Sequence, residues 1–94
     1  MTIQVQLWRI RGRVQGVGYR WYMIQQARQL GLAGFVRNRR DGSVEALVAG
    51  EAEDLGELLR WARRGPPSAQ VADIEVVPAE AEAVPADFSE RPTL

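Results

Sequence analysis

The segment from Gly12 to Arg20 constrains the fold more than any other part of the sequence. It reads Gly-Arg-Val-Gln-Gly-Val-Gly-Tyr-Arg and joins a strand-like run over residues 2–11 to a helix-like run over 19–30. A glycine-rich turn at such a junction lets successive backbone N–H groups converge, and the helix start adds unpaired donors. Arg20 falls in the first helical turn, where a cation is unfavourable for the helix itself. These features predict a site for an anion such as phosphate.

The same loop also has a simpler interpretation, as a turn between two elements. It contains neither the Gly-Lys-Ser/Thr of the Walker pattern nor the dinucleotide-binding fingerprint. From the loop alone, a plain turn and an anion site both stay open, and no particular reaction is indicated.

The composition limits the chemistry that the chain can perform. Its 94 residues include no cysteine and no histidine, and all 12 basic residues are arginine. This excludes cysteine nucleophiles, phosphohistidine, lysine Schiff bases and disulfides, and it disfavours zinc or copper sites. The formal net charge of zero favours neither nucleic acid nor an anionic membrane. Because no apolar run is long enough to span a membrane and no signal peptide is recognisable, we expect a cytoplasmic protein.

Hydrophobic periodicity predicts the element order β-α-β-β-α-β followed by a short edge strand. The expected strands cover residues 3–13, 33–39, 44–49, 71–77 and 88–94, and the expected helices cover 19–30 and 51–64. Arg40-Asp41-Gly42-Ser43 is a hairpin signal between the second and third strands. This order is that of the α+β ferredoxin-like sandwich, in which two helices cover one face of an antiparallel sheet. We expect residues 1–94 to form a single domain.

Arginines form a stripe along the first strand. Arg9, Arg11 and Arg13 alternate with Trp8 and Ile10, so they lie on the opposite face of the strand. The pattern favours a solvated sheet face over a nucleic-acid-binding stripe, because the chain as a whole is neutral.

The first helix carries one apolar stripe. Its members are Tyr19, Met23, Ala27 and Leu30. Trp21 and Ile24 fall off this stripe, so we expect them at the rim of the site or exposed to solvent.

Two longer motifs resemble those of the acylphosphatase family. Residues 10–20 are similar to the family's first signature, and Gly34-Phe35-Val36-Arg37-Asn38, with Gly42, Val44 and Gly50, is similar to the second. Gly65-Pro66-Pro67-Ser68 and Phe88 with Arg91-Pro92 resemble later segments, so the resemblance covers about residues 3–92. Two motifs in the right order and spacing are far more specific than the loop alone.

The sequence departs from the family pattern at two positions. Tyr19 stands where the family usually has phenylalanine, and Glu90 stands where the last strand usually has an apolar residue. We expect Glu90 to affect the packing of the last strand and neither departure to touch the chemistry.

The resemblance implies hydrolysis of acyl phosphates to a carboxylate and inorganic phosphate. It further implies direct attack by water, with no metal, no cofactor and no phosphoenzyme. Arg20 would bind the phosphoryl group together with the loop amides, and Asn38 would orient the attacking water. The implied phosphate-binding residues are Gln15, Gly16, Val17, Gly18, Tyr19 and Arg20. The implied partner is a small acyl phosphate, and we expect a monomer with neither a nucleic-acid nor a membrane partner.

Two alternative functions stay open. One is a non-catalytic ferredoxin-like module that binds phosphate ligands or regulates a partner, and the other is a sheet that binds nucleic acid through the arginine stripe. The acyl group of the substrate also stays open, because acetyl phosphate, carbamoyl phosphate and 1,3-bisphosphoglycerate all carry the group that the loop would recognise.

Overall fold

The described part of the chain folds into a five-stranded sheet with two helices. The computed structural model describes residues 2–81 and 84–94. The elements are, in chain order, β1 (Ile3–Arg13), α1 (Tyr19–Gln29), β2 (Ala33–Asn38), β3 (Val44–Glu51), α2 (Ala52–Arg64), β4 (Gln70–Pro78) and β5 (Phe88–Glu90). The predicted element order and the ferredoxin-like α+β fold are therefore confirmed, with boundaries that differ by one or two residues except at the last strand.

The strand order across the sheet is β4-β1-β3-β2-β5. The three pairings among the first four strands are antiparallel, whereas β5 pairs parallel to β2, with Phe88 opposite Gly34 and Glu90 opposite Val36. The prediction of a fully antiparallel sheet is thus wrong at this edge. The chain has crossed from β4 at the far edge, and it arrives beside the start of β2, where the Gly34 amide donates to the Asp87 carbonyl.

The last strand is shorter than predicted. It ends at Glu90, two residues before Pro92, which has no backbone N–H to donate to a ladder. The tail nevertheless continues along β2, because the Arg91 amide donates to the Val36 carbonyl and the Leu94 amide donates to the Asn38 carbonyl. The end of the chain therefore lies beside the end of β2.

The core lies between the helices and one face of the sheet. Its buried members are Trp8, Ile10 and Val14 from β1 and the loop after it, Val36 from β2, Val44, Ala46 and Val48 from β3, Tyr19, Met23 and Ala27 from α1, Leu55, Leu58 and Ala62 from α2, and Phe88. The predicted stripe of α1 is confirmed, with Tyr19, Met23 and Ala27 buried and Leu30 partly buried. Ile24, which the sequence placed at the rim or in solvent, is instead buried at 8% exposure, because it lies on the side of α1 that faces β5, between Arg20 and Arg28. Trp21 is 60% exposed.

The second helix is stabilised at both ends by charge. Glu53 and Asp54 lie in the first turn of α2 and Arg63 and Arg64 in the last, which matches the helix dipole. Neither α1 nor α2, the helices of residues 2–81, is long and apolar enough to cross a membrane.

The uncovered face of the sheet is organised around one buried carboxylate. Glu45 of the central strand β3 is the register partner of Arg9 on β1 and of Arg37 on β2. Its side chain is only 6% exposed, and it contacts Arg37 at 2.7 Å, Arg39 at 3.5 Å and Arg9 at 3.6 Å. Arg9 of the arginine stripe is thus paired with a carboxylate from a neighbouring strand. Arg11 follows the same rule, with Glu75 of β4 at 3.3 Å.

Candidate active site

The loop between β1 and α1 has the backbone conformation that its glycines predict. Gly16 and Gly18 adopt φ values of 74° and 80°, in the left-handed region that other residues avoid. Gly18 is the N-cap of α1 and provides no side-chain cap, and the first turn of the helix contains no acidic residue. The hydrogen bonds among the described residues include none donated by the backbone amides of residues 15–20. These N–H groups are therefore available to an external acceptor.

Arg20 lies in the first turn of α1, on the side of the helix that faces β5. Its side chain is 32% exposed, and its Nη1 donates to Oε2 of Glu90 at 2.5 Å. Burial in the core thus does not explain this arginine, and its guanidinium reaches the edge of the sheet where β2 ends. A planar guanidinium at this place can bind a phosphoryl group through two parallel N–H bonds.

Asn38 ends β2 on the face of the sheet that the helices cover, since it alternates with buried Val36. Its Oδ1 is buried, and within residues 2–81 and 84–94 it has no hydrogen-bond partner. An unpaired buried acceptor costs about 1–3 kcal/mol. The position is therefore suited to a hydrogen-bond donor that joins the site, and a water molecule has the required size and donors.

Gln15 fixes the loop to the β2–β3 hairpin. Its Nε2 donates to the carbonyls of Arg39 and Ser43, both at 2.8 Å. Arg39 directly follows Asn38, so this one side chain connects the loop after β1 to the neighbour of Asn38. The side-chain amide N–H groups of Gln15 are thereby used, and only its backbone N–H is left for a phosphate.

The hairpin that Gln15 contacts is itself held by a local side-chain hydrogen-bond system. Ser43 donates to Asp41 Oδ1 from its hydroxyl at 2.6 Å and from its backbone N–H at 2.9 Å. These hydrogen bonds, the hydroxyl one first, lower the pKa of the Asp41 carboxyl. The Arg39 and Ser43 carbonyls, which accept hydrogen bonds from Gln15, therefore belong to an ordered turn.

Comparison with known proteins supplies the family. The Acylphosphatase family model matches residues 7–89, a range that includes the loop, Arg20 and Asn38. This chain belongs to the acylphosphatase family. A relative named Acylphosphatase from Acidiphilium cryptum is 57% identical over 84 residues, which is 89% of this chain and 91% of the relative. The sequence-based prediction of an acylphosphatase is thus confirmed.

Solved structures agree with the family assignment. The crystal structure of acylphosphatase from Bacillus subtilis superposes with a TM-score of 0.86 and 35% identity, covering 96% of this chain and 99% of that one. Full-length HypF in its phosphate- and nucleotide-bound form contains a similar region, with a TM-score of 0.88 and 31% identity over 98% of this chain and 12% of that chain. The acylphosphatase fold therefore also occurs within a much longer protein.

Tyr19, one of the predicted phosphate-binding residues, directs its side chain into the core, so only its backbone N–H is left for an external acceptor. Its side chain is buried, its hydroxyl donates to the Ala62 carbonyl at 2.7 Å, and its ring lies 5.3 Å from that of Trp61. Burial raises the pKa of the Tyr19 phenol well above its ordinary value, so the group stays a hydrogen-bond donor. The hydroxyl that distinguishes tyrosine from the family's usual phenylalanine is satisfied inside the core.

Glu90 makes a contact with Arg20 that the sequence reasoning missed. We expected this departure from the family pattern to leave the chemistry untouched, and the structure places the Glu90 carboxylate against Arg20, the residue predicted to bind phosphate. The strand packs well without an apolar residue there, since Phe88 is fully buried and Glu90 is exposed. An acidic residue close to the end of a strand gives no local signal of a contact 70 residues away. Only the parallel pairing of β5 with β2 brings the two together.

Proposed function

We propose that this chain hydrolyses acyl phosphates with Arg20 and the amides of residues 15–20 as the phosphoryl-binding groups and Asn38 as the water-positioning residue. The observation that carries the proposal is the buried Oδ1 of Asn38, which has no hydrogen-bond partner within residues 2–81 and 84–94 and lies at the strand end beside this loop. Two further observations support it: the core does not explain the placement of Arg20, and the backbone amides of residues 15–20 donate no hydrogen bond among the described residues.

The reaction needs positioning and charge stabilisation more than it needs an acid or a base. Phosphoryl transfer asks the protein mainly to align the groups and to stabilise charge on the phosphoryl oxygens. Water adds to phosphorus, the bond between phosphorus and the acyl oxygen breaks, and the carboxylate leaves with the electron pair. Both hydrogens of the water stay on the phosphate, which therefore acts as the proton acceptor. A carboxylate is a good leaving group and needs no proton.

Each proposed residue acts at one place in this scheme. The N–H groups of residues 15–20 and the Arg20 guanidinium bind the phosphoryl oxygens and offset their charge. Oδ1 of Asn38 accepts one hydrogen of the attacking water, which leaves a lone pair of the water directed at phosphorus. The scheme assigns no step to a metal, a cofactor or a phosphoenzyme. Action as a single domain of residues 1–94, a monomeric state and a cytoplasmic location belong to the same proposal.

Replacing Asn38 with alanine is the test of this assignment. We expect kcat for an aryl acyl phosphate, measured in the presence of EDTA, to fall about 10²-fold or more, because the water loses its orientation. KM and inhibition by inorganic phosphate are expected to change little, because the phosphoryl-binding groups remain. Thermal unfolding is the control, and we expect little destabilisation, since the substitution removes an acceptor that is already unpaired.

The outcomes of this test separate the enzyme from its alternatives. Hydrolysis by the wild-type chain with EDTA present supports a metal-independent enzyme. A folded wild-type chain that binds phosphate but does not turn over would instead be a phosphate-binding module. Wild-type kcat in Asn38→Ala would remove the water-positioning role.

A further inference from the structure

The phosphoryl-binding arginine already has an anionic partner within the chain. Glu90 Oε2 accepts from Nη1 of Arg20 at 2.5 Å, although the two residues are 70 positions apart. The contact follows from the register of the edge strand, in which Glu90 lies opposite Val36, two residues before Asn38. The carboxylate is therefore held at the same end of β2 as the proposed water-binding residue.

The contact occupies one end of the Arg20 guanidinium. Among the hydrogen bonds of the described residues, Glu90 is the only side-chain partner of Arg20, and it engages Nη1 alone. A phosphoryl group that binds two guanidinium nitrogens must either displace the carboxylate from Nη1 or bind next to it. In the first case the ion pair is lost, and in the second a carboxylate stands beside a phosphate of the same sign.

The alternative role for Glu90 is to hold Arg20 in its binding orientation. Both side chains are partly exposed, at 32% for Arg20 and 51% for Glu90, and an exposed ion pair contributes little. Repulsion between a carboxylate and a phosphate dianion a few ångströms apart is larger, even with the dielectric screening of a surface site. The unfavourable effect on phosphate binding therefore outweighs the orienting effect.

We propose that Glu90 is an internal competitor for the phosphoryl group at Arg20 and sets how tightly the site holds phosphate. The inference rests on the proposed function, in which Arg20 binds the phosphoryl group. Glu90 weakens the binding of the acyl phosphate and also of the inorganic phosphate that is formed from it. As a consequence of this weaker binding, the site releases inorganic phosphate readily and resists inhibition by it.

The test is to remove the charge of Glu90 and measure phosphate binding. We expect Glu90→Gln to bind inorganic phosphate roughly three- to tenfold more tightly than the wild type, from the size of one removed repulsive charge at a surface site. Calorimetry measures the binding directly, and KM for an aryl acyl phosphate is expected to fall in parallel while kcat does not rise. Glu90→Ala serves as the second variant if Glu90→Gln folds poorly.

The matched control is Glu75→Gln. Glu75 lies on β4 at the opposite edge of the sheet, its side chain is 55% exposed, and it pairs with an arginine, Arg11, at 3.3 Å. It thus matches Glu90 in exposure and pairing, and its loss is expected to leave phosphate binding at the wild-type level. Equal tightening in both variants would show a general effect of net charge and overturn the proposal, as would unchanged or weaker phosphate binding in Glu90→Gln.

The binding experiment also separates this inference from the proposed function. Phosphate binding is measured without turnover, so an inactive wild-type chain would remove the hydrolase function and leave the comparison of Glu90 variants intact. Conversely, an active enzyme whose affinity for phosphate does not depend on Glu90 would overturn this inference alone.

Discussion

Replacing Arg20 with alanine is expected to lower kcat/KM for an aryl acyl phosphate by about 10³-fold or more. Loss of even one preorganised donor to a developing oxyanion already lowers kcat by about 10²–10³. The variant loses a cation as well as the donors of a planar guanidinium, so we expect KM to rise and kcat to fall together. Binding of inorganic phosphate, measured by calorimetry, should weaken in parallel. Arg20→Lys keeps the charge without the paired donors and is expected to lie between the two.

Arg28 provides the matched control for this prediction. It lies on the same helix, and its Nε donates to the Phe88 carbonyl at 3.1 Å, so it too connects α1 to β5. Arg28→Ala removes the same charge from the same element but away from the loop, and it should keep turnover near the wild-type rate. An Arg20→Ala enzyme with wild-type kcat/KM would place the active site elsewhere in the molecule.

Replacing Glu45 with alanine is expected to destabilise the fold by about 2–4 kcal/mol. This is toward the lower end of the usual effect of breaking a buried ion pair, because the arginines around Glu45 are partly exposed to solvent. The substitution leaves Arg9, Arg37 and Arg39 close together on the uncovered face without the carboxylate that they share. Thermal or denaturant unfolding measures the effect, and a chain of this size should lose roughly 8 °C or more in Tm. Glu45→Gln keeps the hydrogen-bond acceptor and should lose less.

The control for Glu45 is again a carboxylate that pairs with arginine at the surface. Glu57 contacts Arg60 at 2.6 Å within α2, and both side chains are largely exposed. Such pairs contribute only about 0–1 kcal/mol, so Glu57→Ala should unfold close to the wild type. Equal stability of the Glu45 and Glu57 variants would contradict the structural role that we assign to Glu45.

The fold could be predicted largely from local patterns, and the errors lie where tertiary contacts decide. Alternation along residues 3–13 predicts β1, and the spacing of Tyr19, Met23 and Ala27 predicts the buried side of α1. Ile24 is buried on the side of α1 that carries Arg20 and Arg28, and both arginines contact β5, whose position no single-helix pattern contains. The direction of β5 depends on which sheet edge the chain reaches after β4, and that is likewise invisible in the sequence of the strand.

In the candidate site, too, some features could be predicted from the sequence and others depend on tertiary contacts. The loop, Arg20 and Asn38 could be proposed from motifs, because glycine spacing and residue type carry the information. Glu90 at Arg20 and Glu45 between Arg9 and Arg37 depend on strand register, so the charges are visible in the sequence but their partners are not. The bridge from Gln15 to the hairpin carbonyls is a non-local contact of the same kind.

The central claim is that the phosphoryl group binds at the loop, and a phosphate titration followed by NMR tests it most directly. The molecule offers a second place where arginines converge, namely Arg9, Arg37 and Arg39 around Glu45 on the uncovered sheet face. We expect saturable shifts that are largest for the backbone amides of residues 15–20 and the side-chain amide of Asn38, and that vanish in Arg20→Ala. The largest shifts around Arg9, Arg37 and Arg39, with the loop amides unmoved, would contradict the account.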